Sequence, residues 1–148
     1  MSFRSIDHTA DLAVEVTAAS RDALFAEVVP AFTDLMVDVD RVEARESRQF
    51  ELEAAELPLL LVDWLSELLY RVEVDGLLFR RAEVTVEDVP CDVCSMGAFR
   101  LRATAWGEPR DEDRHPIKVL LKAVTYHGLT VGPIEGSIDW RARIVFDI

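Results

Sequence analysis

Leu12, Val14 and Val16 alternate with Ala13, Glu15 and Thr17, a period of two that predicts a half-buried strand. Just upstream, residues 3–6 are apolar enough for a short edge strand, and the polar break Asp7-His8-Thr9-Ala10-Asp11 separates the two runs. Ser20 is placed to cap a helix, with Asp22 favourable near its positive end. Leu24, Val28, Ala31, Phe32 and Leu35 then recur at helical spacing, so one stripe of that helix should face a core. Pro30 is expected to kink the helix or end its first half, because proline has no N–H for the preceding turn.

Residues 39–54 read as strand, most clearly where Phe50 and Leu52 alternate with Gln49, Glu51 and Glu53. Pro58 suits the first turn of a second helix. Leu59, Leu60, Leu61, Val62, Trp64, Leu65, Leu68, Leu69 and Val72 coat it, broken by Asp63, Ser66, Glu67, Tyr70 and Arg71. A helix apolar on nearly every side is buried on nearly every side. We therefore expect this one to be central and to end near Asp75-Gly76.

The period then returns to two. Ala82, Val84 and Val86 mark one strand, and Phe99, Leu101, Ala103 and Ala105 another, with residues 89–97 as the turn between them. Residues 107–113 form a charged stretch with Gly and Pro punctuation, predicted as a loop. Residues 119–131 read as strand, on which Lys122, Val124 and Tyr126 would share a face. Gly132-Pro133 and Gly136 bound a turn. In the last strand Ile138, Trp140, Ala142, Ile144 and Phe146 alternate with polar residues, which points Asp147 away from the core in a fixed position. Strands outnumber helices and the helices interrupt the strand series. The prediction is a single α+β domain over residues 1–148, mostly antiparallel sheet packed with two principal helices.

Composition narrows the function classes. A length of 148 residues is that of one domain, and half of them hydrophobic is enough for a sizeable core. The longest strongly apolar run, residues 57–62, is far short of the ~20 residues a membrane span needs, and residues 1–4 lack the apolar core of a signal peptide. A soluble cytoplasmic protein is expected. The formal net charge of −12 argues against direct nucleic-acid binding, which neutralises phosphates with Lys and Arg. It suits a divalent cation or a basic protein partner. Cys91 and Cys94 form one C-x-x-C with no second pair of ligands, and read as incidental thiols in a loop.

The chemistry is expected where the chain's two ends meet. Asp7 and Asp11 lie four apart in the opening break, and Asp147 stands beside the carboxylate of Ile148. Brought together, these groups would share a hard metal ion. Spacing alone favours Asp7 and Asp11 as ordinary turn residues.

Four separated stretches change that balance. Asp7-His8-Thr9-Ala10-Asp11, the helix stretch from Val62 to Leu69, Arg114-His115 followed by Lys122-Ala123-Val124-Thr125-Tyr126-His127-Gly128, and the closing Ala142 to Ile148 together resemble the archease family. The order and spacing cover essentially the whole chain. The resemblance implies a non-catalytic protein cofactor of the RtcB-type tRNA-splicing RNA ligase, helping it load guanylate on its active-site histidine and turn over repeatedly. It also implies a divalent metal, calcium first, held by Asp11, Asp147 and the carboxylate of Ile148. Oxygen ligands suit Mg²⁺ and Mn²⁺ as well.

Around that centre the roles stay open. Asp7 is a further ligand or a turn residue. His8 binds the ligase or a nucleotide, or packs beside the motif, and is a poor calcium ligand because calcium prefers oxygen. Lys122 in an apolar strand needs a partner, either an acid of the metal site or a phosphate. His127 stands at a strand end, as core or surface. Two other function classes remain in view. One is a metal-dependent phosphohydrolase with His8 or His127 as base, against which the chain has no phosphate-cradling glycine loop. The other is a general chaperone-like binding module whose metal is only a structural staple.

Overall fold

The structure, a computed structural model, describes residues 11–90 and 98–148. The expected strand at 3–6, Asp7 and His8 of the opening motif, and the loop with Cys91 and Cys94 lie outside the described residues.

Six strands and two helices follow in the order β1 (Asp11–Ala18), α1 (Arg21–Met36), β2 (Glu46–Ala54), α2 (Leu57–Asp75), β3 (Leu77–Asp88), β4 (Phe99–Pro109), β5 (Ala123–Pro133) and β6 (Trp140–Asp147). They form two three-stranded antiparallel sheets, ordered β1-β6-β5 and β2-β4-β3. This is the α+β arrangement of two helices against antiparallel sheet that the periodicities predict.

Local chemistry explains the helix limits. The Ser20 side chain accepts from the Ala23 N–H at 3.0 Å and opens α1. Pro58 stands in the first turn of α2, and Gly76 closes that helix with a positive φ of 65°, a left-handed cap that a Cβ would oppose. Pro30 does not end α1, which runs unbroken from Arg21 to Met36. Its flanks, Val28, Val29, Phe32 and Thr33, are all buried, so packing on both sides holds the helix through the missing hydrogen bond.

The core lies where the two helices pack against both sheets. Phe32 of α1 meets Phe146 of β6 at 6.0 Å between ring centroids, and Trp64 of α2 meets Phe50 of β2 edge-on at 5.2 Å. The buried Trp64 indole donates to the Phe25 carbonyl at 2.9 Å and so joins the helices. Along β3, an edge of its sheet, α1 side chains take up backbone groups. Asp22 accepts from the Val86 N–H (2.9 Å), Arg21 donates to the Val86 carbonyl (2.9 Å), and Thr33 donates to the Phe79 carbonyl (2.6 Å). An edge covered in this way offers no template to another chain.

Several boundaries differ from expectation. Of residues 39–54 only Glu46–Ala54 is strand. Val39–Arg41 is a 3₁₀ turn capped by Asp38, whose side chain accepts from Asp40 N–H. The loop expected from residue 107 starts later, because Gly107 and Glu108 still pair with Phe79 and Leu78 of β3. Residues 119–122 are irregular rather than strand, and β5 begins at Ala123. Ile138 is 83% exposed and precedes β6.

Candidate functional site

β1 and β6 pair antiparallel with Asp11 opposite Asp147, and β5 pairs with β6 so that Ala123 flanks Asp147 on the other side. Residues directly opposed in a sheet share a face, with Cβ atoms about 4.5–5.5 Å apart. The face is the outer one: Leu12, Val14, Ala142, Ile144 and Phe146 face the core, while Asp11 is exposed and Asp147 half-buried. The alternation in β1 and β6 dictates this, since a slip of one residue would turn both acids into the core. The Lys122 N–H donates to the Asp147 carbonyl at 2.8 Å and fixes the strand end. Ile148 follows with its side chain packed on the core.

Two carboxylates opposed on one face repel, by about 1 kcal/mol at 4 Å in water and about 4 kcal/mol at an effective dielectric near 20. Among the described residues no basic side chain forms an ion pair with either Asp11 or Asp147. An all-oxygen pair open to solvent, with no counter-charge among the described residues, fits a hard divalent cation by its donor chemistry. It is short of a full set. Among the described residues no group of three or more His, Cys, Asp or Glu is placed to hold a metal. Further donors would be the Ile148 carboxylate, carbonyls and water.

Lys122 does not join the acids. It is exposed, so it carries no desolvation penalty, and it lines a cleft of about 210 Å³ between α2 and β5 with Ser66, Tyr70, Glu73 and Val124. No carboxylate among the described residues pairs with it. His127 is exposed too, in a bulge of β5 where the pairing jumps from Thr125↔Val145 to Thr130↔Arg143. That bulge breaks the common face expected for Val124 and Tyr126.

A second cluster is only half legible in the sequence, where Arg114-His115 stands out through the resemblance and Glu108 does not. Glu108 is 1% exposed and His115 fully buried. Arg114 grips Glu108 with two hydrogen bonds of 3.0 and 2.7 Å, the Glu43 N–H donates to it at 2.9 Å, and His115 Nε2 lies 2.9 Å from it. Because the Asp111 N–H donates to His115 Nδ1 at 2.9 Å, that nitrogen is the acceptor and Nε2 carries the proton. Burial pushes the Glu108 carboxyl up. The bonds from Arg114, Glu43 and His115 outweigh it and hold the group down at about 2. The Asp111 carboxyl is lowered as well, by the Arg114 and Asp113 N–H groups. The cluster anchors residues 110–122, which cross from one sheet to the other with further bonds from Arg110 to Gly76 and from Lys118 to Met36. A charged run with glycine and proline reads as loop, and only the pairing of Arg114 with an acid six residues earlier hints otherwise.

A concavity of about 580 Å³ lies on the outer face of β2-β4-β3, away from the acid pair. Its charges are already matched, with Arg102 on Glu51 at 2.8 Å. The adjacent row repeats this, with Arg100 on Glu53 at 2.8 Å.

Fold and site together define a small α+β domain of two antiparallel sheets and two helices that carries an opposed acid pair on an outer sheet face. Residues 3–148 match the family model of the archease protein family (MTH1598/TM1083), and the chain belongs to that family. It is 39% identical over 148 residues to the protein archease of Methanopyrus kandleri, covering 100% of both chains. The solution structure of Methanobacterium thermoautotrophicum protein 1598 superposes with a TM-score of 0.73 at 29% identity, over 97% of this chain and 96% of that one. The crystal structure of an archease from Thermotoga maritima, described as a possible chaperone, superposes with a TM-score of 0.64 at 15% identity, over 100% of this chain and 98% of the other, a likeness of fold. Among the described residues no helix is long and apolar enough to cross a membrane.

Proposed function

We propose that this protein is a non-catalytic, metal-binding cofactor of the RtcB-type tRNA-splicing RNA ligase, promoting its guanylylation and repeated turnover in the cytoplasm. The observation that carries the reading is the β1–β6 register, which sets Asp11 opposite Asp147 on an open face. Family membership supports it independently. Asp11, Asp147 and the Ile148 carboxylate would hold the ion, calcium first with Mg²⁺ or Mn²⁺ as substitutes, and Asp7 lies close enough in sequence to join them. When bound, the ion neutralises the acid pair and presents positive charge at the surface. The protein's own residues do the rest: β6, pinned by Phe146 and Ile148 in the core, keeps Asp147 in register against Asp11.

The test is a ligase assay at limiting protein and excess RNA. Addition of the protein should raise guanylylation and turnover, and Asp11→Ala or Asp147→Ala should abolish the gain while both variants stay folded. Residues appended after Ile148 should weaken calcium uptake and stimulation together. Normal stimulation by the folded variants would refute the metal-based mechanism. Equal protection of unrelated client proteins would favour a general chaperone, in line with the description of the Thermotoga maritima relative.

A further inference from the structure

The bulge in β5 is built more carefully than a surface connection requires. On β6 the single residue Ile144 separates Val145 from Arg143, while on β5 the four residues 126–129 separate their partners Thr125 and Thr130. An ordinary bulge adds one residue. Here there are three extra ones, and among them Gly128 lies against Val145, which is only 4% exposed.

The loop is held in one shape. Thr125 Oγ1 accepts from the His127 N–H at 3.2 Å and lies 3.4 Å from the His127 carbonyl. Arg143 Nη1 donates to the Gly128 carbonyl at 3.0 Å. Gly128 has a φ of +72°, and a Cβ there would stand 2.5 Å from Arg143 Nη1 and 3.5 Å from Val145 Cγ2. A side chain at position 128 is strained by the positive φ, and its Cβ would push the Arg143 guanidinium off the Gly128 carbonyl.

What this loop displays is not needed by the fold. Tyr126 is 60% exposed, and His127 and Gly128 are exposed beside it. A rigid aromatic left in water on a pinned loop resembles the anchor of a binding surface more than a packing residue. The loop is also next to the acid pair: Thr125, where it begins, lies two residues along the strand from Ala123, the residue opposite Asp147, a distance of about 7 Å.

We infer that residues 125–130 are the recognition loop of the metal-bearing face, with Tyr126 as its anchor and Arg143 and Gly128 as positioning residues, and that it docks on the RNA ligase. The inference rests on the functional reading above. Charge favours that occupant. A protein that holds RNA needs a basic surface, and this chain carries a net charge of −12 with Asp11 and Asp147 beside the loop. A loop already fixed before contact keeps the ordering cost of docking small.

The experiment measures ligase affinity, calcium affinity and thermal midpoint in parallel for the full chain. Tyr126→Ala should weaken binding to the ligase by at least about tenfold, with calcium affinity and thermal midpoint unchanged. Gly128→Ala and Arg143→Ala should weaken ligase binding in the same way, and Arg143→Lys, which still reaches the Gly128 carbonyl with a donor, should restore part of it. Tyr126→Ala and Gly128→Ala binding the ligase like the wild type, while Asp147→Ala does not, would overturn this inference alone. A wild-type protein that neither binds nor stimulates the ligase would overturn the functional reading, and this inference with it.

Discussion

Near the end of β4 the chain buries one carboxylate and surrounds it with donors, whereas at the open ends of β1 and β6 it sets two carboxylates face to face. Glu108 has Arg114, His115 and the Glu43 N–H turned toward it, all within 3.0 Å. Asp11 and Asp147 have each other. The first arrangement satisfies a charge that burial would otherwise make costly. The second leaves like charges opposed, with no ion-pair partner for either among the described residues, and so the pair by itself contributes nothing to stability. Matched charge here serves the scaffold, and unmatched charge marks the surface where chemistry is expected.

Mutation should break this contrast most sharply at Glu108. Glu108→Ala leaves the Glu43 N–H without its acceptor and Arg114 without its buried partner, and should destabilise the fold by about 3–5 kcal/mol. That is a fall in thermal midpoint on the order of 10 °C for a chain of this size. Asp11→Asn, by contrast, removes only a repulsion and should leave the metal-free midpoint unchanged or slightly higher. A metal-free loss for Asp11→Asn comparable to that of Glu108→Ala would mean the acid pair is structural.

Calcium sharpens the same comparison. At a hundredfold excess over Kd it should stabilise the wild type by about 2.7 kcal/mol. The Glu108→Ala protein should gain the same increment, since distant sites add, and Asp11→Asn should gain none. Thermal scans with calcium and with a chelator distinguish these outcomes.

Acid separates the regions again. The Glu108 carboxyl is lowered from 4.5 to about 2, so its contribution is fully present above pH 4.5 and is lost as pH falls toward 2. The effect should be on the order of 2–3 kcal/mol, below the full shift because solvent reaches Arg114. Denaturant melts across that window should show the loss in the wild type and a flatter profile in Glu108→Gln. The smallest effect belongs to the outer ladder of β2-β4-β3. There Arg102→Ala breaks an exposed pair with Glu51 and should cost less than about 1 kcal/mol by denaturant midpoint.

Alternation alone placed Val14, Ala142, Ile144 and Phe146 on inner faces and Asp147 on an outer one, because a strand's side chains have a period of two wherever the strand lies. Ser20, Pro58 and Gly76 marked helix limits by chemistry that acts within one turn. The burial of Glu108 escaped this reading. Residues 107–113 carry every local sign of a loop, and the partners that make a buried carboxylate tolerable come from two separate stretches of chain, around Glu43 and at Arg114-His115. The bulge at 126–129 escaped for the same reason, since Arg143, which pins it, lies on another strand.

Sequence by itself determined which residues of β1 and β6 are inward, where both helices start and α2 stops, and that acids stand near both ends of the sequence. Tertiary structure alone decided that Asp11 lies opposite Asp147, that Lys122 turns to the α2 cleft, and that Glu108 sits in the interior. Periodicity is a property of a few consecutive residues. Register between strands more than a hundred residues apart is fixed only when the whole core closes, and at that step a slip of one position would have buried the acids and exposed the apolar face.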